Sequence, residues 1–182
     1  MTPFATFESE RLRFRGWREE DHAVVAAIYG DPDHARFIGG AMSPQRAWRA
    51  MAGFIGHQAL RGFSLMALEE KASGVCIGWC GPWRPHGWPE NEIGYSLLPS
   101  ATGRGYAREA AARALAYAYD VLGWTTAISL IDERNDHSKK VARALGAIHD
   151  GNAMLFDDEP AEVWRHLPPD VFAARFPEGR LT

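Results

Sequence analysis

Apolar and polar residues alternate in some stretches of the chain and recur at a helical period in others. Alternating or continuously apolar runs predict strands at 11–15, 63–69, 75–79, 92–98, 125–131, 147–156 and 161–166. Helical periodicity, with Ser43–Pro44 and Asn135 as N-terminal signals, predicts helices at 19–29, 44–60, 107–122 and 135–145. This order of elements predicts an α/β protein with a mixed sheet and helices on both of its faces.

The segment between the predicted strand 92–98 and the helix 107–122 has the composition of an anion-binding turn. Gly103 and Gly105 bracket Arg104, and the missing Cβ atoms let backbone N–H groups close on a phosphate. The first N–H groups of a helix lack intrahelical partners and lie at the positive end of its dipole. The Rossmann fingerprint fails, because Arg108 stands where a third glycine is needed, and no P-loop lysine is present.

A second polar motif follows the predicted strand 125–131. Asn135 is expected to cap the next helix, and Ser138 lies three residues later in its first turn. Leu145–Gly146 closes the same helix. Taken alone, this pattern indicates only a capped helix.

Together the two motifs resemble those of the GNAT-type N-acetyltransferases, whose phosphate loop reads Gln/Arg-x-x-Gly-x-Gly/Ala. Ser100 stands at the Gln/Arg position, so one side-chain phosphate contact of that pattern is missing. Gly-Arg-Gly-Tyr-Ala at 103–107 is more similar to the branch that includes the ribosomal-protein alanine N-acetyltransferases. The resemblance covers about residues 10–166 of a single predicted domain, 1–182, and leaves the tail 167–182 outside. It implies a GNAT-like mixed sheet of about six to seven strands.

The resemblance implies acetyl-CoA as co-substrate. In that family the pantetheine arm lies between two diverging strands and the pyrophosphate lies on the glycine loop. The residues implied to bind it here are Leu97, Leu98, Gly103, Arg104, Gly105, Tyr106, Ala107 and Asn135.

The resemblance also implies direct transfer of the acetyl group to a primary amine. Ala142 stands where many members carry a tyrosine acid, so Ser138 inherits the role of proton donor, with Asn135 beside it. Glu92 is the best candidate base, although an exposed glutamate at a strand end explains it equally well. Tyr95 and Tyr106 are further candidates for the acid.

The sequence does not identify the acceptor amine. Trp83 and Trp88 lie in a loop predicted at 81–91, and aromatic walls hold amines by cation–π contact. A peptide N-terminus, a polyamine, an aminoglycoside or an amino acid all fit this description. A CoA-binding sensor or interaction domain without efficient catalysis is the alternative function, and both a monomer and a homodimer are open.

Composition narrows the classes of partner. With 182 residues, 46% of them hydrophobic and 24% charged, the chain is long enough for one globular domain. A net charge of −3 argues against nucleic acid as the main partner. No apolar run approaches a membrane span and the N-terminus lacks the features of a signal peptide, so a cytoplasmic location is the default expectation.

The two cysteines are too far apart to form a disulfide on one strand. Cys76 and Cys80 would be separated by about 13 Å, and His86 is the only nearby residue that could join them as a zinc ligand. We therefore expect two buried thiols and no metal.

Overall fold

One mixed sheet organises the chain. The computed structural model describes residues 4–155 and 159–179. Within these ranges the strands lie side by side in the order β1-β2-β3-β4-β5-β6-β8-β7. The strands are β1 (Phe7–Glu8), β2 (Leu12–Arg15), β3 (Met66–Glu70), β4 (Val75–Trp83), β5 (Glu92–Leu97), β6 (Ile128–Ile131), β7 (Ile148–Leu155) and β8 (Glu159–Arg165).

The helices in the described residues are α1 (His22–Gly30), α2 (Pro32–Ala35), α3 (Pro44–Arg61), α4 (Tyr106–Asp120), α5 (Asp136–Ala144) and α6 (Pro169–Arg175). Of these, α1, α3, α4 and α5 begin and end largely where the sequence predicts, whereas α2 and α6 were not predicted. Ser43 Oγ accepts the Arg46 N–H at the start of α3, and Asn135 Oδ1 accepts the Ser138 N–H at 3.1 Å at the start of α5. Both predicted N-caps are therefore confirmed.

The structure corrects several boundaries. The sheet has eight strands in the described residues rather than six to seven, because the two-residue β1 is too short to leave an alternating pattern. Strand β4 continues to Trp83, through residues predicted as loop, and β6 begins only at Ile128. The tail forms α6, and its Phe172 and Phe176 are buried against the main core.

Two hydrophobic clusters lie on opposite faces of the sheet. One contains much of α4 and the side chains of Ile93 and Leu97, and the other contains residues of α1 and α3. Alternation along β5 then directs the remaining residues, Glu92, Gly94 and Ser96, toward the α1–α3 face. A Cβ on Gly94 would lie 3.3 Å from Leu65, a residue of that second cluster, which agrees with this orientation.

The sheet opens between β5 and β6. These parallel strands have one register pair, Glu92 with Ile128, although both continue beyond it. Next to this pair, Ser129 Oγ donates to the Ile93 carbonyl at 2.9 Å, and the Leu130 N–H donates to Glu92 Oε1 at 3.2 Å. Side chains thus replace the backbone ladder at the point where the two strands part.

Candidate active site

The edge of β5 that faces the opening carries backbone groups of alternate residues. The carbonyls of Asn91 and Ile93 accept bonds from the β6 side, so by alternation the N–H and C=O groups of Tyr95 and Leu97 also point that way. Leu98 differs, because its N–H donates to Ile77 O at 2.8 Å and its carbonyl accepts the Ala101 N–H. Of the two residues predicted to offer backbone here, Leu97 faces the opening, whereas the N–H of Leu98 is already bonded to β4.

The glycine turn lies immediately before α4. Gly103 and Gly105 have φ angles of 73° and 81°, and Gly105 is the N-cap residue of the helix. Left-handed backbone at both positions favours glycine. Gly103, Arg104 and Gly105 are exposed and Ala107 is half-buried, so the first N–H groups of α4 lie near the surface, as an anion site requires.

Arg104 contacts protein groups in this structure. Its Nη2 lies 2.9 Å from Glu70 Oε1, and its guanidinium stacks on the Tyr106 ring. The Tyr106 hydroxyl donates to the same Glu70 oxygen. Arg11 stacks on the Tyr106 ring too and donates to the Arg104 carbonyl, so the turn is held against β2 and β3.

Arg108 lies in the first turn of α4. From the sequence it served only to exclude the Rossmann fingerprint. Its Nε atom is buried and has no hydrogen-bond partner in the described residues. An unpaired buried donor is costly, and a guanidinium is suited to bind a phosphate. Its place three residues after Gly105 was the available signal.

Glu92 is buried rather than exposed at the strand end. Its two carboxylate oxygens accept from Trp88 Nε1 at 2.6 Å and from the Leu130 N–H at 3.2 Å. Burial raises the pKa of Glu92 to about 7, while these two hydrogen bonds act in the opposite direction. A carboxylate with a pKa near the working pH has the proton affinity of a general base.

The two predicted acceptor-side tryptophans lie beside Glu92. Trp83 is the register partner of Glu92 across β4 and β5, and Trp88 donates to its carboxylate. Both rings are half-buried. Trp83 also stacks on His57 at 4.2 Å and meets Phe54 edge-on, so one of its faces belongs to the core.

Asn135 and Ser138 lie together at the start of α5, and Tyr95 reaches them from β5. The Tyr95 hydroxyl donates to the Ser138 carbonyl at 3.2 Å. Ser138 is half-buried, and its hydroxyl has no hydrogen-bond partner in the part of the chain that the structure describes. The opening between β5 and β6 therefore has Glu92 at its closed end and Tyr95 linked across it to Ser138.

The two cysteines, which were considered as metal ligands, lie outside this opening. Cys76 and Cys80 both lie in β4 as buried free thiols, and burial raises the pKa of each. Among residues 4–155 and 159–179, no cluster of metal-binding side chains is present and no helix is long and apolar enough to cross a membrane.

Comparisons with known proteins show the family and the fold of this chain. The family model described as acetyltransferase (GNAT) domain matches residues 11–148. Uncharacterized protein YkkB of Bacillus subtilis (strain 168) is 28% identical over 159 residues, covering 86% of this chain and 92% of that protein. An acetyltransferase from Agrobacterium tumefaciens str. C58 is 26% identical with a TM-score of 0.82, covering 92% of this chain and 96% of that one.

A ribosomal-protein-S5-alanine acetyltransferase from Vibrio fischeri has the same fold. It is 18% identical with a TM-score of 0.69, covering 91% of this chain and 98% of that one. The chain belongs to the GNAT acetyltransferase family and is an N-acetyltransferase. The family uses acetyl-CoA as its co-substrate.

Proposed function

We propose that this chain moves the acetyl group of acetyl-CoA directly to a primary amine, with CoA bound in the opening between β5 and β6. The supporting observation is that β5 and β6 share a single register pair at the start of β5, and that an exposed glycine turn follows the other end of β5. The free edge of β5 suits the amide groups of pantetheine, which add to it as a further strand would. On this proposal Tyr95 and Leu97 supply the backbone contacts.

The pyrophosphate is assigned to the turn at 103–107 and the start of α4. Backbone N–H groups bind the phosphate oxygens, and Arg108 supplies the positive charge. The contact of Arg104 with Glu70 implies a secondary role for Arg104, because a phosphate would have to compete with a carboxylate for its guanidinium.

The chemistry requires one proton acceptor and one proton donor. Glu92, directly or through a water, takes a proton from the acceptor ammonium, and the free amine attacks the thioester carbonyl. A backbone N–H on the free edge of β5 stabilises the oxyanion. When the C–S bond breaks, the Ser138 hydroxyl gives its proton to the departing thiolate and regains one from the amine through solvent.

Positioning accounts for most of the rate on this proposal. Holding the amine about 3 Å from the thioester carbon makes the attack effectively unimolecular. Asn135 contributes by fixing the first turn of α5, where Ser138 lies. Trp83 and Trp88 line the acceptor side next to Glu92.

The ribosomal-protein branch is the part of the family whose pattern this chain most resembles. The Asn-x-x-Ser sequence at 135–138 and alanine at 142 support that placement, since serine rather than tyrosine is then the donor. The corresponding proposal is that the chain is a cytoplasmic enzyme that acts on a protein N-terminus or a small amine.

Release of free thiol from acetyl-CoA against a panel of primary amines tests the activity. We expect amine-dependent release, with the acetylated amine identified by mass spectrometry and an amine-free reaction as control. Acetyl-CoA at a hundred times its Kd should stabilise the fold by about 2.7 kcal/mol, and NAD should not. Stabilisation without thiol release from any amine would favour the alternative of a CoA sensor, and the absence of both would refute the proposal.

A further inference from the structure

A histidine–serine pair lies on the α1–α3 face of β5, outside every motif considered so far. His34 Nε2, from α2, is 2.7 Å from Ser96 Oγ. Ser96 lies between Tyr95 and Leu97, the residues whose backbone faces the opening, and about 7 Å along the strand from Gly94. The pair therefore lies on the same face of β5 as Glu92, next to the backbone groups proposed to bind pantetheine.

Burial of the imidazole favours the neutral form of the pair. Burial lowers the pKa of His34, and the charge of Asp31 opposes this only in part. The Asp31 carboxylate already accepts the N–H groups of Asp33 and His34 at the start of α2. Arg36 on the same segment acts electrostatically on Asp132. No carboxylate therefore hydrogen-bonds the imidazole within the described residues.

The pair keeps one unused hydrogen-bond donor in either tautomer. If Ser96 donates to Nε2, the imidazole Nδ1–H remains. If Nε2–H donates to Ser96, the serine hydroxyl hydrogen remains. Neither group has a second hydrogen-bond partner in the ranges 4–155 and 159–179. His34 is half-buried and Ser96 is buried, so a ligand reaches the pair at the imidazole and meets a donor, Nδ1–H, when Ser96 donates to Nε2.

We propose that Ser96 donates to His34 Nε2 and that the His34 Nδ1–H then binds the acceptor by donating to a neutral oxygen, a carbonyl or hydroxyl, carried next to its primary amine. The inference rests on the acetyltransferase function proposed above. In this tautomer the accessible ring nitrogen donates and cannot accept from a second ammonium group, so the pair does not favour plain polyamines. It selects for amines with an adjacent amide or alcohol.

Two amines of nearly the same shape test this. L-Alaninamide carries a carboxamide beside its amine, and 3-methylbutan-2-amine carries an isopropyl group in its place. The amines ionise at different pH, but that difference is the same for every variant and cancels when their kcat/KM ratio is compared. The variants are Ser96→Ala, His34→Ala and His34→Gln, with His149→Gln, on the far strand β7, as control.

We expect Ser96→Ala and His34→Ala to reduce the preference for L-alaninamide by about 3–10-fold, the value of one hydrogen bond to a neutral group. The loss should appear in the KM of L-alaninamide, with kcat and the Kd of acetyl-CoA unchanged. His34→Gln keeps an amide donor and should retain most of the preference, and His149→Gln should retain all of it.

Three results would overturn the inference. They are an unchanged ratio in both alanine variants, an equal loss for the two amines, and no turnover of L-alaninamide by the wild type while acetyl-CoA still binds. If His34→Ala lowers the melting temperature sharply, Ser96→Ala and His34→Gln carry the decision. Failure of acetyl-CoA to bind at all would instead count against the proposed function.

Discussion

Substituting Glu92 by glutamine removes the ionisable group at the closed end of the β5–β6 opening and keeps its size. The buried carboxylate accepts from Trp88 Nε1 and the Leu130 N–H, and burial raises its pKa to about 7. Glutamine can satisfy one of these donors with its carbonyl but presents an NH2 group to the other. The change should therefore remove the ionisable group and leave one of the two donors without an acceptor.

The kinetic effect should depend on pH in a direction set by this pKa. A base with a pKa of about 7 is roughly one-tenth ionised at pH 6 and nine-tenths ionised at pH 8, so it adds about a tenfold rise in kcat/KM across that range. The acceptor's own ionisation adds a second rise. Glu92→Gln should keep only the second, and kcat at pH 8 should fall by about 10²–10³-fold.

The same group should affect stability with the opposite slope. Its pKa is higher in the folded protein than its ordinary value of 4.5, so the folded state binds more protons between these values. Stability from this group is therefore present below about pH 4.5 and is lost as pH rises to about 7. The loss amounts to about 3 kcal/mol. It should be absent in Glu92→Gln.

Stopped-time thiol-release kinetics and urea unfolding at pH 5 to 8 measure the two effects. Glu90→Gln is the matched control, because Glu90 lies two residues away but pairs with Arg165, which lowers its pKa. It should leave kcat and its pH profile unchanged. Wild-type kcat in Glu92→Gln at pH 8, or an acidic limb identical to that of wild type, would show that Glu92 is not the base.

The remaining predictions concern the CoA site. Arg108→Ala should weaken acetyl-CoA binding by about 10-fold or more. Arg104→Ala should weaken it less, because Arg104 is already paired with Glu70. Titration calorimetry on both variants shows which arginine binds the phosphate. Gly105→Val places a β-branched residue at a φ of 81° and narrows the turn, so binding should be lost in titrations while circular dichroism stays native. Ser138→Ala should lower kcat by about 10–10³-fold with an unchanged Kd for acetyl-CoA, and an unchanged kcat would assign the proton donor to water.

Local signals in the sequence account for most of the fold. Alternation and helix caps concern neighbouring residues, so β5, α4 and the caps at Ser43 and Asn135 could be predicted within a few residues. The glycine turn could also be predicted from local sequence, because a positive φ favours glycine at each single position. The resemblance implied a mixed sheet with two diverging strands, and the full order of strands across the sheet came only from the structure, because no local rule contains it.

The site's electrostatics depended on contacts between distant parts of the chain. The pKa of Glu92 depends on burial beneath Trp88 and beside Leu130, 38 residues away. The hydrogen bond between His34 and Ser96 likewise joins distant parts of the chain, because the two residues are 62 positions apart and lie in no common motif. Arg104 looked like a phosphate ligand because Glu70, its partner on β3, could not be located from sequence.

Glu92 also links the shape of the sheet to the chemistry. Where β5 and β6 part, the Leu130 N–H would be a buried donor without a ladder partner, and the Glu92 carboxylate accepts it. That contact is best made by the ionised form, which is also the form needed to take a proton from an amine. On the proposed mechanism, the protein thus keeps a destabilising buried carboxylate where its charge binds the edge of the opening and accepts the proton of the amine. On the same proposal, a variant that closed the opening with a backbone ladder would be more stable and would not bind CoA.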